Sequence, residues 1–454
     1  MAKVKTQYVC NECGNVSTKW AGQCSACKEW NCMDEVKVQP TSGVAKTNRY
    51  ANYSGDVAIQ KLGKVSTEKQ LRSTTHINEL DRVLGGGLVP GSVILLGGDP
   101  GIGKSTLLLQ VSAQIATSIN PLYVTGEESL SQIAMRARRL SLNVDDLDCM
   151  AETSVESIIA TTVSKQPDLV VIDSIQTLFS EQLTSIPGSV SQVKESAAQL
   201  VRMAKQSRIT VILVGHVTKD GSIAGPRILE HMVDTVLYFE SDGNSRYRVL
   251  RALKNRFGAV NEIGVFAMTE TGVKEVENPS AIFLSEHQAE KPGSVVMVTR
   301  EGTRPLLVEI QALVDQSPLG NPRRLSVGLE HNRLAMLLAV LHRMCQLAIH
   351  DHDVFLNAVG GMKITETAAD LAIIIAIVSS FKNRYLPKDT IVFGEVGLTG
   401  EVRPVHNGED RLKEAAHHGF KTAIVPKGNA GKWVKNLDIK IITVDQVSQV
   451  LDLV

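Results

Sequence analysis

At 454 residues the chain is long enough for about three domains with sizeable cores. With 43% hydrophobic and 21% charged residues it reads as a soluble globular protein, and its 48 basic residues balance 48 acidic ones, so nucleic acid can be bound only through local patches, not a global field. The longest apolar run, Leu371 to Val378, is too short to span a bilayer, and the opening residues show no signal-peptide core; seven cysteines, four of them in tight pairs, suit the reducing cytoplasm.

Residues 1–35 carry Cys10-x-x-Cys13 and Cys24-x-x-Cys27, separated by ten residues, with Gly14 and Gly22 beside the pairs. Four thiolates on two tight turns can close a tetrahedral site around Zn2+, and a segment this short needs such a staple because its core is too small to fold alone. Two redox pairs or free surface thiols are the alternatives. A closed four-sulfur site is structural, so no catalysis is assigned to it, and Cys32 reads as an ordinary thiol. Residues 36–72 are polar and without period, as a linker is. Residues 1–72 hold eleven Lys/Arg against six Asp/Glu, which permits nucleic-acid contact without arguing for it.

From residue 73 to 272 short apolar strands alternate with helices, the pattern of a mainly parallel sheet covered on both faces. A short amphipathic helix around Ile77 to Leu84 and a triple-glycine turn lead into the stretch Val93 to Thr106, VILLGGDPGIGKST. This fits the phosphate-binding pattern G-x-x-x-x-G-K-[ST]. Gly98, Asp99, Pro100, Gly101, Ile102 and Gly103 form the loop whose N–H groups can surround phosphate oxygens; Lys104 can reach the β- and γ-phosphates of ATP, Ser105 can ligate Mg2+, and Thr106 follows on the helix. Asp173 ends Leu169-Val-Val-Ile, where an aspartate would hold the magnesium. Glu127 and Glu128 follow Leu122-Tyr-Val-Thr-Gly; a carboxylate there can take the proton of the attacking water, and the strand-end position favours Glu127, with Glu128 a second candidate. His216, closing Val211-Ile-Leu-Val-Gly, is either a sensor of the γ-phosphate or a packing residue.

Leu84-Gly-Gly-Gly-Leu-Val-Pro-Gly, GGDPGIGKST, Tyr123-Val-Thr-Gly-Glu-Glu-Ser and above all Lys254-Asn-Arg-Phe-Gly resemble the RecA-type core of the bacterial RadA family. The resemblance covers essentially the whole chain, from the cysteine finger onward. It implies a homo-hexameric ring with nucleotide between subunits, so that Lys254 and Arg256 can act on the γ-phosphate held by a neighbour. Ser180 to Ser191 and Lys219 to Arg227 would then be channel loops for single-stranded DNA; without aromatics, they would track phosphates through Lys219 and Arg227.

Residues 286–454 read as a further α/β domain: a strand pair around a turn from about Val295 to Val314, a long helix from about Asn332 to Ile349, strand VFLNAV, the apolar helix Ala368 to Ser379, a hairpin-like pair in TIVFGEVGLTGEVRPV, a helix Arg411 to His418 and strand TAIVP. It is similar to the Lon protease domain. At the positions where a Ser–Lys dyad is required stand Ala368 and, at or near the lysine position, Glu409, which points to a non-proteolytic scaffold. Arg300, Arg304, Arg323, Arg324 and Lys363 are loose candidates for a DNA-binding surface, and His350 to Asp353 read as a polar turn.

The expectation is therefore a cytoplasmic, DNA-dependent ATPase of recombinational repair. By resemblance it would be a helicase or translocase on single-stranded and branched recombination DNA, with a RecA-type recombinase or replication protein as partner of the finger, and no membrane. The rival readings are an ATP-dependent Lon-like protease and a nucleotide-gated assembly protein without enzymatic purpose.

Overall fold

The computed structural model describes residues 5–10, 16–26, 28–30, 33–38, 72–215, 226–241, 246–284, 290–318, 320–431 and 437–454. The chain divides into two compact units, Met1–Val276 and Glu277–Val454.

At the start of the first unit, strands β1 (Lys5–Cys10), β2 (Val16–Ser17) and β3 (Met33–Val38) form a small antiparallel sheet in the order β2-β1-β3. Its only apolar cluster among the described residues is Cys10, Cys24 and Met33 with Tyr8 against them. A segment of about thirty residues is too short to build a large core, so a bound metal would supply much of its stability.

After helix α1 (Asn78–Leu84), the large sheet of this unit is built on β4 (Val93–Gly98), β5 (Pro121–Thr125), β6 (Asp148–Ala151), β7 (Leu169–Asp173), β8 (Thr210–Val214), β9 (Thr235–Glu240), β10 (Tyr247–Asn255), β11 (Ile263–Thr269) and β12 (Gly272–Glu275). Their order in the sheet is β12-β11-β10-β9-β4-β8-β7-β5-β6. The strands from β9 to β6 run parallel, and β10, β11 and β12 continue the sheet antiparallel. Helices α2 (Lys104–Ile115), α3 (Leu130–Arg139), α4 (Val155–Lys165) and α5 (Val190–Ser207) cover the faces, with a short α6 (Pro226–Glu230) before β9.

Period two in the strands explains how both faces are buried. Ile94 and Leu96 of β4 pack with Leu107, Leu108 and Val111 of α2 and with Leu80 and Val83 of α1. Val93 and Leu95, pointing the other way, pack with Ile158 of α4 and Val193 and Leu200 of α5. Each such side chain contributes about 1.5–3 kcal/mol through burial. β4, β5, β7 and β8 are buried along their whole length, and their carboxyl ends form one edge on which loops can carry polar groups.

The second unit is a seven-stranded mixed sheet of β13 (Ser294–Glu301), β14 (Arg304–Gln316), β15 (Arg324–Val327), β16 (His352–Ala358), β17 (Thr390–Val392), β20 (Thr422–Pro426) and β21 (Lys440–Val444), in the order β15-β16-β14-β13-β17-β20-β21. A separate two-stranded ribbon, β18 (Glu395–Val396) and β19 (Val402–Arg403), stands beside it, with helices α7 (His331–Cys345), α8 (Asp370–Lys382) and α9 (Gly408–His417). Two sequence expectations need correction. The long helix stops at Cys345 and not near Ile349, because Gln346 turns left-handed (φ 53°) and donates its N–H to Leu341. In TIVFGEVGLTGEVRPV the first strand joins the large sheet, pairing in parallel with β13 and β20, and only Glu395–Val396 and Val402–Arg403 pair as a hairpin.

Candidate functional site

Gly98 and Gly103 bound the loop after β4, both with positive φ (146° and 114°). Helix α2 begins at Lys104 with Gly103 as its N-cap; no side chain caps it and its first turn holds no acidic residue. Its first N–H groups therefore face the loop without a side-chain acceptor, the arrangement that suits a phosphate. Lys104 is only 3% exposed. Its ammonium donates to the carbonyls of Gly98 (2.7 Å) and Asp99 (2.9 Å), inside the turn it would share with phosphate oxygens. Burial pulls its pKa down to about 8, against the opposing pull of Asp173, Asp99 and Glu127. Those three carboxylates are thus the lysine's electrostatic neighbours. Ser105 and Thr106 lie in the first turn of α2, and Asp99, Pro100 and Gly101 are exposed at the loop's tip.

Asp173 is buried at the end of β7 and accepts a hydrogen bond from the Tyr123 hydroxyl (2.6 Å). Burial and the Asp173 charge raise the phenol well above its usual range, so it stays a donor. Glu127 lies beyond β5 and accepts from Ser174 Oγ (2.5 Å). Glu128 is differently engaged: its carboxylate is paired with Arg136 of α3, and its N–H donates to Thr125 Oγ1 (3.0 Å). Of the two acidic neighbours, Glu127 is the one in Coulombic reach of Lys104. One aspartate and one serine hydroxyl make a poor metal cage by themselves, but they fit Mg2+, which binds through one or two protein oxygens together with substrate phosphates and water.

Lys254 and Arg256 lie elsewhere. In the register, Ile94 of β4 faces Thr235 and Gly98 faces Phe239, while Asn255 faces Thr235. The KNRFG turn therefore sits at the amino edge of the sheet, roughly 13 Å or more along the strands from the phosphate-binding loop. Lys254 donates to the carbonyls of Glu230 (2.5 Å) and Val233 (2.8 Å); its pKa is lowered by burial and by Arg256. Arg256, with its side chain 59% exposed, reaches Asp234 (3.3 Å). Asp234 also accepts from the Val93 N–H (3.0 Å) and pairs with Lys205, so one buried carboxylate ties Arg256 to the first residue of β4. Asn255 completes the turn, donating to Val83 O (3.1 Å) and accepting from the Phe257 N–H (2.9 Å). A Cβ on Gly258 would fall 2.8 Å from Gly85 Cα, so the triple-glycine turn and the KNRFG glycine are backbone against backbone. The two motifs are one structural feature.

The loop after β7 is held by Gln192, whose buried amide accepts from the Ser180 N–H (2.8 Å) and donates to the carbonyls of Ser180 (3.3 Å), Leu183 (3.3 Å) and Ser185 (2.9 Å). It presents Ile186, 76% exposed, at its tip. His216, Lys219 and the side chain of Arg227 lie outside the described residues. Of the four cysteines expected to hold zinc, Cys10 and Cys24 are buried in one cluster, while Cys13 and Cys27, like the neighbouring Cys32, lie outside the described residues. Among the described residues no group of three or more His, Cys, Asp or Glu side chains is placed to hold a metal ion.

In the second unit Ala368 is buried, and beside it Glu366 makes a two-pronged ion pair with Arg411 (2.9 and 2.6 Å). Arg411, 2% exposed, also donates to Val298 O and sits over the Phe393 ring. Thr367 donates to Glu395 (2.7 Å), and Lys413 pairs with Glu409 on the surface (2.7 Å), so neither supplies the other half of a dyad. Arg324 turns inward onto the carbonyls of His352 and Ile349, which removes it from the loose DNA-surface candidates. Asp351 pairs with its neighbour His352 (2.7 Å), and Asp353 accepts from the Arg323 N–H (2.7 Å), as in a polar turn.

Sequence reading did not find Tyr123, Ser174, Asp234 or Gln192. Tyr123 passes for a strand-forming aromatic and Ser174 for a spacer after the aspartate. The charge of Asp234 immediately before an apolar strand is the one local signal that was available.

Comparison with known proteins agrees with this division. An AAA domain family matches residues 61–222, a family described as subunit ChlI of Mg-chelatase matches 330–429, and a rubredoxin metal binding domain matches 8–35. The DNA repair protein RadA of Pseudomonas aeruginosa is 60% identical over 452 residues, covering 100% of this chain and 99% of that protein. That of Escherichia coli is 57% identical over 436 residues, 95% of each, and that of Bacillus subtilis 49% identical over 456 residues, 99% of each. No helix among the described residues is long and apolar enough to cross a membrane. At 49–60% identity over nearly the full length of both chains, and with family matches to an AAA domain, a ChlI-type domain and a rubredoxin-type metal binding domain, the chain belongs to the RadA family of bacterial DNA repair proteins.

Proposed function

We propose that the protein is a cytoplasmic DNA-repair ATPase that works as a hexameric ring on single-stranded DNA and drives branch migration at recombination intermediates. The observation that carries this reading is the split arrangement of charged groups. Lys104, Asp173 and Glu127 meet at the carboxyl edge of the sheet, and the KNRFG cations stand at the opposite edge, out of reach of their own chain's nucleotide.

In this mechanism the loop N–H groups and Lys104 bind the β- and γ-phosphates, and Ser105 with Asp173 would hold a magnesium ion. When bound, that ion would neutralise charge on the phosphate oxygens. Glu127 orients the attacking water and accepts its proton. Lys254 and Arg256 of one subunit stabilise the charge that develops on the γ-phosphate bound by the next, coupling turnover to movement around the ring. DNA is held in the channel by the loop that Gln192 pins and by the segment 219–227. Cys10, Cys13, Cys24 and Cys27 would hold Zn2+, which would keep the finger folded, and the finger docks a RecA-type recombinase or replication protein.

Proteolysis is disfavoured by Ala368 and by the Glu366–Arg411 pair beside it. ATPase rate with and without single-stranded DNA, run beside casein cleavage, tests the reading. Stimulation by DNA with no cleavage is expected; DNA-independent turnover contradicts the motor, and cleavage supports the protease.

A further inference from the structure

Two hydrogen bonds at the site cross between neighbouring strands in opposite directions. Tyr123 of β5 donates to Asp173 at the end of β7 (2.6 Å), and Ser174, just after β7, donates to Glu127, just after β5 (2.5 Å). The strand ends are themselves fastened, with Thr125 opposite Asp173 and the Gly126 N–H donating to Asp173 O (2.9 Å). Gly126 is the residue that allows this closeness: a Cβ there would fall 2.0 Å from Thr177 Oγ1, which itself donates to Ser174 O (2.8 Å). Tyr123 is fully buried, so its hydroxyl has no water to turn to and is committed to the carboxylate.

We propose that Tyr123 and Ser174 are positioning residues with separate duties, Tyr123 fixing the carboxylate that holds magnesium and Ser174 fixing the carboxylate that takes the proton. Each strand thus orients the reactive group carried by the other. A hydroxyl bonded to one oxygen of a metal-holding carboxylate fixes its rotamer and leaves the other oxygen for the ion. A hydroxyl on the proton-accepting carboxylate holds it toward the water without contributing to nucleotide affinity. The inference rests on the roles given above to Asp173 and Glu127.

The test uses the full-length chain and measures binding of a fluorescent ADP, in Mg2+ and in EDTA, beside kcat and KM for ATP. Tyr123→Phe should raise the Mg2+ concentration needed for half-maximal nucleotide binding roughly tenfold and leave affinity in EDTA unchanged. Ser174→Ala should leave Mg2+-dependent binding and KM unchanged and lower kcat roughly tenfold, with most of the loss restored in Ser174→Thr. Wild-type Mg2+ dependence in Tyr123→Phe, or an equal loss in EDTA, overturns the role of Tyr123. An unaltered kcat in Ser174→Ala, or a loss shared with KM, overturns that of Ser174. Should Tyr123→Phe fail to fold because it leaves the buried Asp173 charge without its donor, Tyr123→Phe/Asp173→Asn, in which that charge is removed, decides: the same Mg2+ dependence as Asp173→Asn alone supports the proposal, and a further loss overturns it. Asp173→Asn and Glu127→Gln run alongside separate the two levels. If they behave as wild type, the site assignments themselves fail; if they are impaired while the Tyr123 and Ser174 variants are silent, only the cross-bracing fails.

Discussion

The two units each bury a basic residue among carboxylates, and to opposite purposes. In the first, Lys104 is buried among Asp173, Asp99 and Glu127, and satisfies itself on two carbonyls of its own loop. Its charge is held under desolvation stress, which is how a group awaiting an anionic ligand looks. In the second, Arg411 is fully committed, with two bonds to Glu366 and others to the carbonyls of Val298 and His406. Asp370 repeats the pattern, paired with Arg333 and accepting from the Val396 N–H (3.0 Å). A similar charge inventory gives a poised site in one unit and a closed structural joint in the other, the difference being whether every donor already has its acceptor.

That contrast can be broken by substitution. Lys104→Ala should lower ATP turnover by roughly 10³-fold while the thermal unfolding of the protein stays near wild type, because the lysine serves a ligand and not the fold. Arg411→Ala should do the reverse, destabilising its unit by about 3 kcal/mol through an unpaired Glu366 and the lost bond to Val298, with ATP affinity unchanged; calorimetry beside nucleotide binding reads both. Glu127→Gln should lower kcat about 10²-fold with nucleotide binding kept, while Glu128→Gln, whose partner is Arg136, should change kcat little. The smallest effect comes from proton linkage at Lys104. Its pKa, about 8, lies below the usual lysine value, and phosphate favours the charged form. Affinity for ADP in EDTA should therefore be level below about pH 7 and fall severalfold as pH rises through 8, and Lys104→Arg should remove that decline. In the protein without nucleotide the sign is opposite: the cost of the buried charge is present below about pH 8 and relieved as pH rises toward the unfolded value.

The same contrast shows what the sequence could reveal. The glycine-rich turn into α2 was legible because its glycines, lysine and serine are contiguous, and the place of Asp173 at the end of β7 because a lone acid ends an apolar strand. The strand order was not, since β8 and β7 enter between β4 and β5 only through long-range pairing. For the same reason the partnership of Tyr123 with Asp173, fifty residues apart, leaves no local trace. Ala368 was readable as a missing nucleophile; the Glu366–Arg411 pair that closes the place was not, because its members are far apart in sequence and each resembles a surface charge. The hairpin-like reading of TIVFGEVGLTGEVRPV went astray because Thr390–Val392 is so short that its pairing partners, not its own pattern, decide where it lies.

A nucleotide site completed by a neighbouring subunit should show itself when two inactive variants are mixed. Lys104→Ala keeps the KNRFG cations and lacks a working loop; Lys254→Ala/Arg256→Ala keeps the loop and lacks the cations. With co-assembly verified by pull-down of differently tagged chains, DNA-stimulated ATP turnover should reappear in the mixture although each variant alone has none. A co-assembled mixture that stays inactive, or a Lys254→Ala/Arg256→Ala protein that turns over ATP normally by itself, would contradict the account.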